Sequence, residues 1–108
     1  MRIEMRDDLP GCRKVYLSGE LDHHASRTVI RAVGESLDDA PVPRLVLNLG
    51  GVTFSDSSGL AVALLFYRRM RSLGGRLEME DLPGQMERLF RTAGLLQMLG
   101  IPIRKEAR

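Results

Sequence analysis

The chain has no tryptophan, five aromatic residues in all and a single cysteine, Cys12. One thiol cannot close an internal disulfide, so the fold must rest on burial alone, and the composition suits a reducing, cytoplasmic setting. Long hydrophobic runs are also missing. Leu60 to Tyr67 is the longest apolar stretch and is far too short to cross a bilayer, and the amino terminus, Met1-Arg2-Ile3-Glu4-Met5-Arg6-Asp7-Asp8, alternates charge with apolar residues instead of presenting a signal-peptide core. A soluble protein that works away from membranes is expected. Charge of one sign is not in excess: 16 basic residues face 14 acidic ones, for a net charge of +2. All the cations except Lys14 and Lys105 are arginines, scattered apart from Arg68, Arg69 and Arg71. Without aromatic interleaving or a basic run, that cluster suits the carboxyl end of a helix, whose dipole favours cations, better than nucleic-acid recognition.

What is present suffices for one domain. At 108 residues and 44% hydrophobic content, residues 1–108 can bury roughly two thirds of their unfolded surface. Ile3 and Met5, then Val15 and Leu17, alternate with polar neighbours around Asp7-Asp8-Leu9-Pro10-Gly11, which predicts an antiparallel hairpin. A helix follows from Asp22 with Ala25, Val29, Val33 and Leu37 on one face, and Pro41 and Pro43 close the connection. Arg44 to Leu49 is a nearly unbroken apolar run, expected of a strand covered on both faces. A second helix runs from Leu60 to Leu73 and stops at Gly74-Gly75; Arg76 to Glu80 predicts a strand with Leu77 and Met79 inward. Met86, Leu89, Phe90 and Ala93 mark a third helix closed by Gly94, and Ile101-Pro102-Ile103 an edge strand. Strands alternating with helices after a hairpin predict an α/β sandwich with a mostly parallel sheet of four or five strands, an antiparallel edge, and helices packed against it.

The chemistry concentrates in Val52-Thr53-Phe54-Ser55-Asp56-Ser57-Ser58-Gly59-Leu60, where two hydroxyls and a carboxylate fall between a strand and the first turn of a helix. Ser57 has two readings: an N-cap, for which serine is well suited, or a phosphate acceptor beside unpaired helix amides. Asp56 either accepts from those amides or orients the Ser57 hydroxyl. Asp22 is an N-cap or a partner contact; it and Asp56 both follow strand ends, which places them together at the carboxyl edge of the sheet. His23 and His24 are adjacent and lack metal-ligand spacing. A serine hydrolase would need the Gly-x-Ser-x-Gly elbow, which is absent. Asp22-His23-His24 lacks the further aspartates of a metal phosphoesterase, and Gly50-Gly51 or Gly74-Gly75 is no phosphate-cradling loop. No catalytic residues, metal or cofactor are assigned.

Asp56-Ser57-Ser58-Gly59-Leu60 resembles the phosphorylation motif of the anti-sigma factor antagonists, bacterial members of the STAS domain family. Gly19-Glu20-Leu21-Asp22-His23-His24 resembles the segment between the second strand and first helix of the same family, most nearly its sporulation branch. The similarity extends from about Arg2 to Ile103, with Ala61 where the family usually has glycine and Ser55 where methionine is common. The resemblance implies a STAS fold and a binding function. Unphosphorylated, the protein would capture an anti-sigma factor that is also a serine kinase, freeing a sigma factor; phosphorylation of Ser57 would end the capture and a serine phosphatase would restore it. It implies that ATP belongs to the partner and that Asp22, His23, Asp56, Ser58 and Gly59 contribute to the partner face. A STAS scaffold or stress-signalling module serving another kinase is the alternative.

Overall fold

The computed structural model describes residues 1–106, apart from the side chain of Leu96; Ala107 and Arg108, within the expected 1–108 domain, lie outside the described residues. The expected hairpin forms from β1 (Arg2–Leu9) and β2 (Cys12–Leu21), which pair antiparallel with Ile3 opposite Leu17 and Met5 opposite Val15. Helix α1 (His23–Asp39) leads to β3 (Arg44–Ser55), α2 (Ser58–Ser72) and β4 (Arg76–Glu80). Two short helices, α3 (Gly84–Thr92) and α4 (Leu95–Leu99), precede β5 (Ile103–Arg104). The strands lie in sequence order, β1 to β5, with every pair after the first parallel. The architecture is the expected one; α4 is an addition, and the edge strand is shifted to Ile103–Arg104.

One face of the sheet carries the core. Val15, Leu17, Leu45, Leu47, Leu77 and Met79 alternate onto it and meet Val29, Val33 and Leu37 of α1, Val62, Phe66 and Met70 of α2, and Met86 and Phe90 of α3. The opposite face differs from expectation. Residues 45 to 49 are all buried, but the second cover is a lattice of polar side chains and not a second layer of helices. Glu78, 1% exposed, binds Arg44 at 2.6 Å, Arg76 at 2.9 Å and Arg104 at 3.0 Å. Lys14 pairs with Glu80 at 3.0 Å, and Glu106 accepts from Tyr16 Oη at 2.6 Å and Asn48 Nδ2 at 3.1 Å. Hydrogen bonding to Glu106 pushes the Tyr16 hydroxyl up to about 12. A buried carboxylate is tolerable only when so paired.

Strand β3 is longer than its apolar run because it continues through Gly50-Gly51. Its register against β2 slips twice: Tyr16 and Ser18 face Asn48 and Gly51, then Gly19 and Glu20 face Val52 and Phe54. These are β-bulges, each adding one residue to β3. Gly51 is required there, since a Cβ would come within 2.7 Å of Ser18 Cβ. The bulges also change which side chains face inward: Leu49, Val52 and Ser55 are buried at every third position, and Phe54 is left 43% exposed. The strand therefore delivers Ser55 under α2 and aims the next residues at the rim of the sheet.

Candidate functional site

Leu21 of β2 is paired with Ser55 of β3, so Asp22 and Asp56 each follow the last paired residue of neighbouring parallel strands. They stand together at the carboxyl edge, as the two strand ends predict. Asp22 is the N-cap of α1: its backbone is extended, and its Oδ1 accepts from Ala25 N at 2.8 Å. Its carbonyl accepts from Ser26 N at 2.9 Å. His23 opens the helix, is exposed, and lies within electrostatic reach of Asp56.

The start of α2 is built differently. Ser57 occupies the residue before the helix, yet its backbone is helical (φ −63°, ψ −13°) and its side chain caps nothing. Asp56 does the capping instead, with Oδ1 accepting from Ser58 N at 2.8 Å. The Ser58 amide, and next the Ser58 hydroxyl, hold the Asp56 carboxyl below its ordinary 3.8, and His23 adds to the effect. Asp56 is therefore an anion throughout the neutral range. Ser57 keeps only backbone duties, its carbonyl accepting from Leu60 N at 3.1 Å and Ala61 N at 3.4 Å. Its hydroxyl is exposed and makes no side-chain hydrogen bond among the described residues. The capping role open to this serine in the sequence is thus filled by its neighbour, and the hydroxyl stands available at a helix amino terminus, where an anion is favoured.

Ser58 is half-buried and engaged with Asp56. Gly59 is buried, and a Cβ there would run into Ser55 Oγ and come within 3.1 Å of Met86 Cε and 3.4 Å of Leu21 Cδ2. Its missing side chain lets α2 lie against β3, β2 and α3. Buried Ser55, whose hydroxyl donates to Asp56 O at 2.9 Å, and exposed Phe54 belong to the site's frame but follow from the bulges, which the residue pattern does not reveal. The His23 and His24 rings are 6.5 Å apart and tilted by 54°, and among the described residues no group of three or more histidine, cysteine or acidic side chains is placed to hold a metal ion.

Known proteins share this chain's family and fold. The STAS domain model matches residues 5–107. An anti-sigma F factor antagonist of Paenibacillus polymyxa is 36% identical over 101 residues, 94% of this chain and 86% of that protein. Another, from Lysinibacillus sphaericus, is 31% identical over 75% of this chain and 69% of its own length. Among solved structures, the Bacillus cell fate determinant SpoIIAA in its phosphorylated form superposes with a TM-score of 0.78 over 99% of this chain and 93% of that one, at 22% identity. The chain belongs to the STAS domain family, in the branch of the anti-sigma factor antagonists.

Proposed function

We propose that this protein is a phosphorylation-switched binding module: unphosphorylated, it captures an anti-sigma factor and frees a sigma factor, and phosphate on Ser57 ends the capture. The observation that carries the reading is the exposed Ser57 hydroxyl, relieved of capping by Asp56 and set beside Asp22 and His23 at the rim of the sheet. The captured factor acts as the serine kinase and brings the ATP, a separate phosphatase reverses the mark, and the exchange takes place in the cytoplasm, in a sporulation-type pathway. No enzyme activity is assigned to this chain.

The switch needs no refolding. A phosphoserine adds about −1.5 to −2 charges, and the first turn of a helix accepts an anion there. What changes is the surface. A dianion appears beside the Asp56 carboxylate and next to Asp22, so a partner group that docks against neutral Ser57 meets a bulky, strongly hydrated charge. Each ~1.4 kcal/mol of lost contact or repulsion lowers affinity tenfold. Asp22, His23, Asp56 and Ser58 form the exposed and half-exposed part of this face, while Gly59 supports it from beneath. Incubation with ATP and the purified anti-sigma factor, followed by phosphopeptide mapping, tests the assignment. Phosphate on Ser57 alone is expected; phosphate on Ser58 or Thr53, or none, contradicts it.

A further inference from the structure

Helix α1 carries a cationic strip on its outer face that nothing among the described residues pairs. It has no acidic residue in its first turn and no basic residue in its last. Its two arginines, Arg27 and Arg31, lie in its first half behind His23 and His24, and its acids, Glu35, Asp38 and Asp39, lie at the far end. The amino end of α1 has its favoured anion in the capping Asp22 carboxylate, and Arg27 and Arg31 lie beyond the turn where the dipole acts. The negative end of α1 is compensated from elsewhere: Arg13 donates to Ser36 O at 2.9 Å, and Arg69 pairs with Asp38. Arg27 and Arg31 are exposed and enter no ion pair or hydrogen bond among the described residues, and Arg31 leaves Glu35, one turn on, unpaired. With His24 and Thr28 they line a shallow hollow of about 400 Å³ along the outer face of the helix.

No partner among the described residues holds these two arginines, and the strip runs from His23, which acts electrostatically on Asp56. We propose that Arg27 and Arg31 form a docking strip for an acidic surface of the anti-sigma partner, continuous with the Ser57 face. The inference rests on the function proposed above. Charges at the rim of an interface act mainly on association rate and salt dependence. The strip would therefore steer the partner onto the switch and discriminate against anti-sigma factors whose facing surface is basic.

The test is titration of the purified anti-sigma factor with the wild-type chain and with Arg27→Glu/Arg31→Glu at low and moderate salt, alongside thermal melts. Reversal of both charges should weaken binding by roughly tenfold or more at low salt and flatten its salt dependence. The melting temperature should fall slightly, because a glutamate at position 31 faces Glu35 one turn on; Arg27→Gln/Arg31→Gln, which adds no like-charge pair, should melt with the wild type and show a smaller loss of affinity. Undiminished affinity in a folded double variant overturns the strip while leaving the function intact. Absence of any complex with the wild-type chain overturns the function as well. Binding of the wild-type chain to phosphatidylglycerol vesicles, lost on charge reversal while the anti-sigma affinity stays unchanged, would reassign the strip to a membrane and also overturn the proposal.

Discussion

Replacing Gly59 with alanine tests whether the first turn of α2 is held by internal packing. The added methyl would point into Ser55 Oγ, with Met86 Cε at 3.1 Å and Leu21 Cδ2 at 3.4 Å. Methionine can yield at its flexible end, but Ser55 is short, buried and bonded to Asp56 O at 2.9 Å. Overpacking of this kind costs about 1–3 kcal/mol, and alanine returns up to about 1 kcal/mol of helix propensity, so a net loss of about 1–2 kcal/mol is expected. For a domain of this size that lowers the melting temperature by about 5 °C or more. Thermal denaturation of Gly59→Ala, Ser55→Ala and the double variant makes the test specific. Ser55→Ala alone loses one hydrogen bond, about 1 kcal/mol, yet it also removes the obstacle, so the double variant should be less destabilised than the sum by about 0.5 kcal/mol or more. Strict additivity, or an alanine variant as stable as the wild type that binds its partner poorly, would refute the packing argument. The glycine would then serve the partner's approach instead.

Asp22→Asn should melt with the wild type while Asp22→Ala loses about 1 kcal/mol, since asparagine caps as well as aspartate; a weakened partner affinity in both variants, by calorimetry, marks Asp22 as a contact. Glu78 is held below its ordinary carboxylate value chiefly by the Arg44 hydrogen bond, so it contributes stability at neutral pH that is lost as pH falls from about 4.5 through its lowered folded value. Melts of Glu78→Gln across pH 2–7 should show a flatter dependence over that acid window, whereas an unchanged slope contradicts the pairing. Ser26→Ala should stabilise the domain by about 1 kcal/mol in chemical denaturation, because the buried Ser26 hydroxyl has no hydrogen-bond partner among the described residues.

The sequence makes the mostly parallel sheet, the hairpin at its antiparallel edge and the joining of Asp22 to Asp56 legible, because period-two alternation and strand ends leave direct marks in residue type. The length of β3 is not marked. Gly50-Gly51 looks like a break, and only the pairing with β2 shows a bulged strand continuing to Ser55. Glu78 and Glu80 look like solvent-facing positions because an alternating pattern cannot tell a hydrated carboxylate from one buried under three arginines that approach from residues 44, 76 and 104. At the site, composition permits Ser57 to cap α2; the helical backbone at Ser57 withdraws its hydroxyl from that role and gives it to Asp56. A difference of one residue in where the helix begins thus separates a structural serine from an available one.

The account depends most on what phosphate at Ser57 does to binding. Titration of the purified anti-sigma factor with the unphosphorylated chain and with the chain phosphorylated on Ser57, both shown by circular dichroism to keep the same fold, measures this directly. At least a tenfold loss of affinity on phosphorylation, about 1.4 kcal/mol or more, is the expected result. Equal affinities for the two folded forms would contradict the switch.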